Sequence, residues 1–132
     1  MPADSRVAPA NVRLKRAYEA AAADDGSRVL VDRLWPRGVR KDAAAIDLWL
    51  KDLAPSTALR KWFGHDPARW AEFQERYARE VQRHPELFEQ LRALAREGTV
   101  TLVYSARDAE HNDAVVLRRL LLRRRAHDAA AS

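Results

Sequence analysis

The chain has 132 residues, 47% of them hydrophobic and 33% charged, a balance that suits one globular domain and excludes the low-hydrophobicity composition of disorder. It holds no cysteine, which excludes disulfides, thiolate nucleophiles and cysteine zinc sites and suits a reducing cytoplasm. A formal charge of +5 invites an anionic partner, and no run of about 18 apolar residues is present to span a bilayer, so no membrane partner is expected.

The opening stretch "MPADSRVAPANVRLK" lacks the apolar centre of a signal peptide, so the protein reads as soluble and cytoplasmic. Residues 1–11 are expected to form a flexible arm, 12–125 a single domain, and 126–132 a flexible tail. "VRLKRAY" sets Val12, Leu14, Arg16 and Tyr18 on one face of a period-two pattern and predicts a strand that carries an arginine among apolar neighbours. Asp25-Gly26 supplies turn chemistry, and "RVLVDRLW" then reads as a covered, β-branched strand.

From Asp42 the period changes. Ile46, Trp49, Leu50 and Leu53 fall at i, i+3, i+4 and i+7, which predicts a short helix stopped by Pro55. Ser56 is a suitable N-cap for "TALRKWFG", with Gly64 as its end. Asp66-Pro67 starts a long helix whose stripe is Trp70, Phe73, Tyr77 and Val81; Pro85 opens the next, with Leu87, Leu91 and Leu94 inside and Gly98 as its stop. "TVTLVYS" is a third strand, apolar on both faces as a central strand would be, and after "ARDAEHND" a last helix carries Ala114, Leu117, Leu120 and Leu121. This order predicts an α/β fold, a small and at least partly parallel sheet flanked by helices.

Ligands of open α/β sheets collect outside the carboxyl ends of parallel strands. Two such ends are rich in functional groups: "DRLWPRG", with Asp32, Arg33, Trp35, Arg37 and Gly38, and "SARDAEHND", with Ser105, Arg107, Asp108, Glu110, His111, Asn112 and Asp113. If their strands are parallel neighbours, the two loops face each other. Arg33 and Arg37 offer planar forks for phosphate or carboxylate, and the amides opening the last helix are expected to aim at the same side. His111, in the strand-to-helix loop, is the candidate acid or base, with Asp32 or Asp108 to orient it. Arg16 and Arg60 complete the candidate lining. A purely structural account stands beside this one: Asp32 paired with an arginine, Trp35 in the core, and Pro36-Arg37-Gly38 a plain turn.

Other signals are weaker. His65-Asp66 and Glu110-His111 lack metal-ligand spacing, the aromatics recur at helical spacing as core residues do, and neither a glycine-rich phosphate loop nor a nucleophile elbow occurs. No metal and no cofactor is expected. "LRRLLLRRR" gathers Arg118, Arg119, Arg123, Arg124 and Arg125; such a run is usually a solvated face, but it offers an alternative function as a nucleic-acid-binding or adaptor module.

Taken in order, "LKRAY", "RVLVDRLWPRG", "WLKDLAPSTALRKWFGHDP", "RWAEFQERYARE" and "LVYSARDAEHNDAVVL" resemble the YeaO-like family, small bacterial proteins of unknown function, over nearly all of Val12 to Leu122. The resemblance implies an α/β domain whose characteristic polar residues fall here on Arg16, Asp32, Arg33, Arg37, Ser56, Arg60, His111 and Asn112. More distant relatives carry a cysteine on the last strand and a Cys-His-Arg triplet after it. Here Glu110-His111-Asn112 stands in that place and cysteine is absent, so a thiol mechanism does not transfer. The resulting expectation is an anion-binding pocket with Arg16, Arg33, Arg37, Arg60 and Asn112 as ligand contacts. If the protein is an enzyme, His111 and Asp32 act on a phosphorylated or nucleotide-like metabolite. Whether there is a reaction, and the oligomeric state, are left open by the sequence.

Overall fold

The computed structural model of the chain describes residues 7–123. Four strands, β1 (Val12–Arg16), β2 (Ser27–Leu30), β3 (Leu48–Trp49) and β4 (Val100–Tyr104), form one all-parallel sheet in the order β1-β4-β2-β3. β4 lies between β1 and β2 and is buried along its whole length, which is why its sequence is apolar on both faces. All four carboxyl ends therefore open on one edge of the sheet.

Period two decides what each face meets. Val12, Val29, Val100, Leu102 and Tyr104 join the main core with Phe73, Tyr77, Leu91 and Leu117 from the helices. On the opposite face Ala17, Leu30 and Val103 are covered by Trp35, Val39, Ile46 and Trp49. That second face also holds a charged network. Arg28, buried, donates to Asp25 at 2.6 Å and to the Ala44 carbonyl at 2.9 Å, while Lys15 reaches the same carboxylate at 3.1 Å. Burial alone would push the Asp25 carboxyl up. Donation from the Ala22 amide, Lys15 and Arg28 outweighs it and holds the group below its ordinary range. Gly26, at φ +66°, permits this corner, because a Cβ there would fall 2.1 Å from the Thr99 carbonyl oxygen.

The helices are α1 (Lys41–Ala44), α2 (Thr57–Phe63), α3 (Trp70–Val81), α4 (Pro85–Glu97) and α5 (Asp113–Leu122). Ser56 caps α2 through a bond from the Leu59 amide at 3.1 Å, and Gly64 ends it in the left-handed conformation. Asp66 caps a 3-10 turn, Pro67–Arg69, that leads into α3. Pro85 opens α4, and Asn112 caps α5. The buried stripe of α3 is Phe73, Tyr77 and Val81, with Trp70 partly buried against the same core.

The segment from 42 to 53 departs from the expected helix. α1 ends at Ala45 in the left-handed conformation, Leu48 and Trp49 pair with Val29 and Leu30 as a fourth strand, and Lys51–Leu53 form a 3-10 turn. Helical spacing is matched by chance, because the apolar side chains divide between the two faces of the sheet: Leu50 and Leu53 enter the main core, Ile46 and Trp49 the smaller one. Asp47 anchors the edge by accepting from the Arg28 amide at 2.8 Å.

Val7 is buried and Asn11 donates to the Ala95 carbonyl at 2.8 Å, so the part of the expected arm from Val7 onward packs on the domain. The rest of that arm and the expected tail lie outside the described residues. Among the described residues no helix is long and apolar enough to cross a membrane.

Candidate functional site

β2 and β4 are parallel neighbours, so the loops after them meet at the carboxyl edge of the sheet. The cleft there has a volume of about 1190 Å³ and is lined by all seven of the residues singled out from the sequence: Arg16, Asp32, Arg33, Arg37, Arg60, His111 and Asn112. Their individual placements differ from one another in what they leave free for a ligand.

Two of the arginines are spent on the protein. Arg16, at the end of β1, donates from Nε to the Ala106 carbonyl at 2.9 Å and from Nη2 to that of Ser105 at 3.0 Å. Arg33 donates to the carbonyls of Pro55 and Ala54 at 3.1 and 3.2 Å. Each guanidinium ties one loop of the cleft to another element. Arg37 differs: Pro36, Arg37 and Gly38 make a turn closed by the Val39 amide on the Pro36 carbonyl at 3.3 Å, with Gly38 at φ +79°, and the turn holds the Arg37 side chain out on the cleft wall. Arg60 on α2 and Arg107 after β4 are likewise exposed at the cleft, and none of these three guanidiniums has a partner among the described residues.

His111 donates through Nδ1 to Asp108 at 2.8 Å, and its ring meets Trp70 edge-on at 5.1 Å. The orienting carboxylate is thus Asp108. Donation from the imidazole, helped by the amides of Glu110 and His111, holds the Asp108 carboxyl below its ordinary range. Asp32 has other partners: its Oδ2 accepts from the Ser105 amide at 2.9 Å and from the Ser105 hydroxyl at 2.7 Å. It also faces Asp113, whose carboxyl is raised well above its ordinary range by burial, by the charge of Asp32 and by a hydrogen bond to Asp32. Beside the Asp32 carboxylate, the Asp113 carboxyl is thus biased toward its protonated form, and both residues line the cleft.

The amides at the start of α5, expected to be free for an anion, are occupied by local side chains. Asp108 takes the amides of Glu110 and His111, Asn112 takes that of Val115 at 3.0 Å, and Asp113 takes that of Ala114 at 2.8 Å. Asn112 also donates to the Asp108 carbonyl at 2.9 Å, so its buried amide is engaged at both ends. Sequence reasoning did not single out Asp113 or Ser105 as a unit with Asp32, nor place Tyr18, Leu34, Lys61 and His65 on the wall. The approach of β1, β2 and β4, with α2 packed beside them, brings these together; no local spacing marks it.

The basic end of the chain is partly engaged as well. Arg118 donates to the carbonyls of Val12 at 2.9 Å and Pro9 at 3.2 Å, and Arg119 to the side chain of Gln74. Arg123 is exposed, while Arg124 and Arg125 lie outside the described residues.

Comparison with known proteins matches residues 11–132 to a family model described as the inactive DUF488-N3 subclade. The chain belongs to that subclade. Two relatives place it in the YeaO-like group as well. An uncharacterised protein of Mycobacterium tuberculosis is 46% identical over 110 residues, 83% of this chain and 92% of that protein. The uncharacterised protein YeaO of Escherichia coli is 43% identical over 107 residues, 81% of this chain and 93% of that protein. No solved structure gave a significant match. The DUF488-N3 model includes every residue that lines the cleft, so the site belongs to the part of the chain shared with the subclade.

Proposed function

We propose that this protein binds a small metabolite carrying a phosphate or carboxylate in the cleft at the carboxyl edge of its sheet, and holds it without turning it over. The observation that carries this reading is the set of three arginines, Arg37, Arg60 and Arg107, that face one cleft from three different elements and have no partner among the described residues. Their positive charges converge where six arginine and lysine side chains stand against three aspartates, of which Asp113 is biased toward its protonated form. Guanidinium forks recognise phosphate and carboxylate with two parallel bonds, so an anion here gains both charge and geometry. In this reading Arg16, Arg33 and Asn112 shape the wall, and His111 offers its remaining ring nitrogen to the ligand. Binding without turnover agrees with the subclade's description as inactive and with a chain that has no cysteine.

An acid–base role for His111 has one observation in its favour, the 2.8 Å bond that fixes its ring through Asp108. Recovery of a bound phosphate ester unchanged after long incubation is the outcome expected from binding alone; a product that disappears in His111→Gln would favour catalysis.

Thermal unfolding of the full chain in inorganic phosphate, at low ionic strength, tests the binding reading. Phosphate at 100 times its dissociation constant adds about 2.7 kcal/mol, a rise in midpoint on the order of 10 °C. Arg37→Ala, at an exposed position, is expected to keep the unliganded midpoint and weaken phosphate at least tenfold. Unchanged affinity in the folded variant would remove the proposal.

A further inference from the structure

Among the described residues, two large hydrophobic side chains remain exposed, Tyr18 at 49% and Leu34 at 61%, and both stand on the wall of the same cleft as the three unpartnered arginines. Single exposed apolar residues need no explanation; a pair brought from two loops to one cleft does. Their positions are fixed. The Tyr18 hydroxyl donates to the Arg37 carbonyl at 3.0 Å, and the Arg16 guanidinium lies over the Tyr18 ring at 4.8 Å. The ring is therefore tied to the turn that presents Arg37. Leu34 faces outward because its neighbour goes inward: Trp35 donates to the Val39 carbonyl at 2.7 Å and packs edge-on against Trp49 at 5.6 Å. Since Trp35 is consumed by the small core, the chain's direction leaves Leu34 at the cleft.

We propose that the anion held in this cleft is joined to a flat, apolar ring, an aryl or heteroaryl phosphate by chemical class, with the ring lying against Tyr18 and Leu34 and the phosphate on Arg37 and its two companions. The proposal rests on the anion-binding reading above and names what the anion is attached to. Size supports it. A space of about 1190 Å³ lies just above the ~300–1,000 Å³ usual for pockets that enclose a whole metabolite, and it far exceeds what a bare oxyanion fills. The mixture of lining supports it too, since ligand sites combine apolar walls with a few polar groups that fix orientation. Tyr18 offers a flat surface to a ring, its hydroxyl already satisfied by the protein.

Calorimetric titration of the full chain with inorganic phosphate, phenyl phosphate and phenol, at one fixed low ionic strength, separates the two readings. Phenyl phosphate is expected to bind at least tenfold more tightly than inorganic phosphate, with phenol alone showing no saturable binding. Leu34→Ser should bring the ratio of the two phosphate affinities back toward one, while Tyr18→Phe, which keeps the ring, should preserve it. Equal affinity for the two phosphates in the unmodified chain overturns the ring contact and leaves the anion reading standing. A preference that persists in Leu34→Ser overturns the assigned wall. Absence of binding by both phosphates removes this inference together with the reading beneath it.

Discussion

Asp113 opens α5 and faces Asp32 at the cleft floor, and its carboxyl is held well above the ordinary 3.8 by burial and by the neighbouring charge. The native protein thus keeps a proton that the unfolded chain releases as pH climbs past 3.8. Stability contributed by that proton is complete below this value and is lost as pH rises through the higher folded value. Asp113→Asn keeps an oxygen for the Ala114 amide and offers Asp32 a permanent donor. Its melting temperature relative to the unmodified chain is expected to improve from pH 4 toward pH 8, and a difference that is flat with pH would show that Asp113 keeps no extra proton in the folded chain. Asp32 itself could be picked out as a candidate from the sequence because it follows the end of an apolar strand. Its pairing with Asp113 could not, since 81 positions separate the two in sequence and only adjacency of β2 and β4 brings them together. The same distance hid the commitment of Arg16, whose acceptors lie 89 and 90 residues away. A free guanidinium and a spent one look alike in a sequence.

At the scale of elements, one small side chain adds a polar lock between α2 and α3, whose apolar faces already stack through Phe63 and Phe73 at 4.4 Å. The Ser56 hydroxyl caps α2 by accepting from Leu59 and donates to Glu80 at 2.6 Å, while the Ser56 amide donates to the other oxygen of the same carboxylate at 2.8 Å. Ser56→Ala removes the cap and one charge-assisted bond, and a loss of about 1–2 kcal/mol in denaturant unfolding is expected; a loss below the error of the fit would mean that Glu80 and solvent compensate. Because α2 carries Arg60, this lock also sets one wall of the cleft. Ser56, Asp66 and the prolines that open helices are readable locally: the two caps satisfy amides within a turn of themselves, and a proline at the first position removes an amide that would otherwise go unpaired. β3 is not. Its two residues have no periodicity of their own, and they are a strand only because Val29 and Leu30 offer a free edge.

Across the whole molecule, inserting β4 between β1 and β2 is what creates the site. It sets the ends of three strands side by side, so that Asp32 after β2 reaches Ser105 after β4, and Arg16 at the end of β1 ties down the loop that carries Arg107 and His111. The α/β class and the meeting of two loops followed from apolar runs ending in charge; the strand order, and with it the sharing of one cleft, depends on long-range packing that local patterns do not encode. On the proposed reading an anion is received at this edge and on no other surface. This is tested most directly by recording amide resonances of the full chain during a titration with inorganic phosphate at low ionic strength. Saturable shifts concentrated in residues 32–38, around Arg60 and in 105–113 are expected. Shifts that never saturate, or that are largest along Arg118 to Arg123, would contradict that reading.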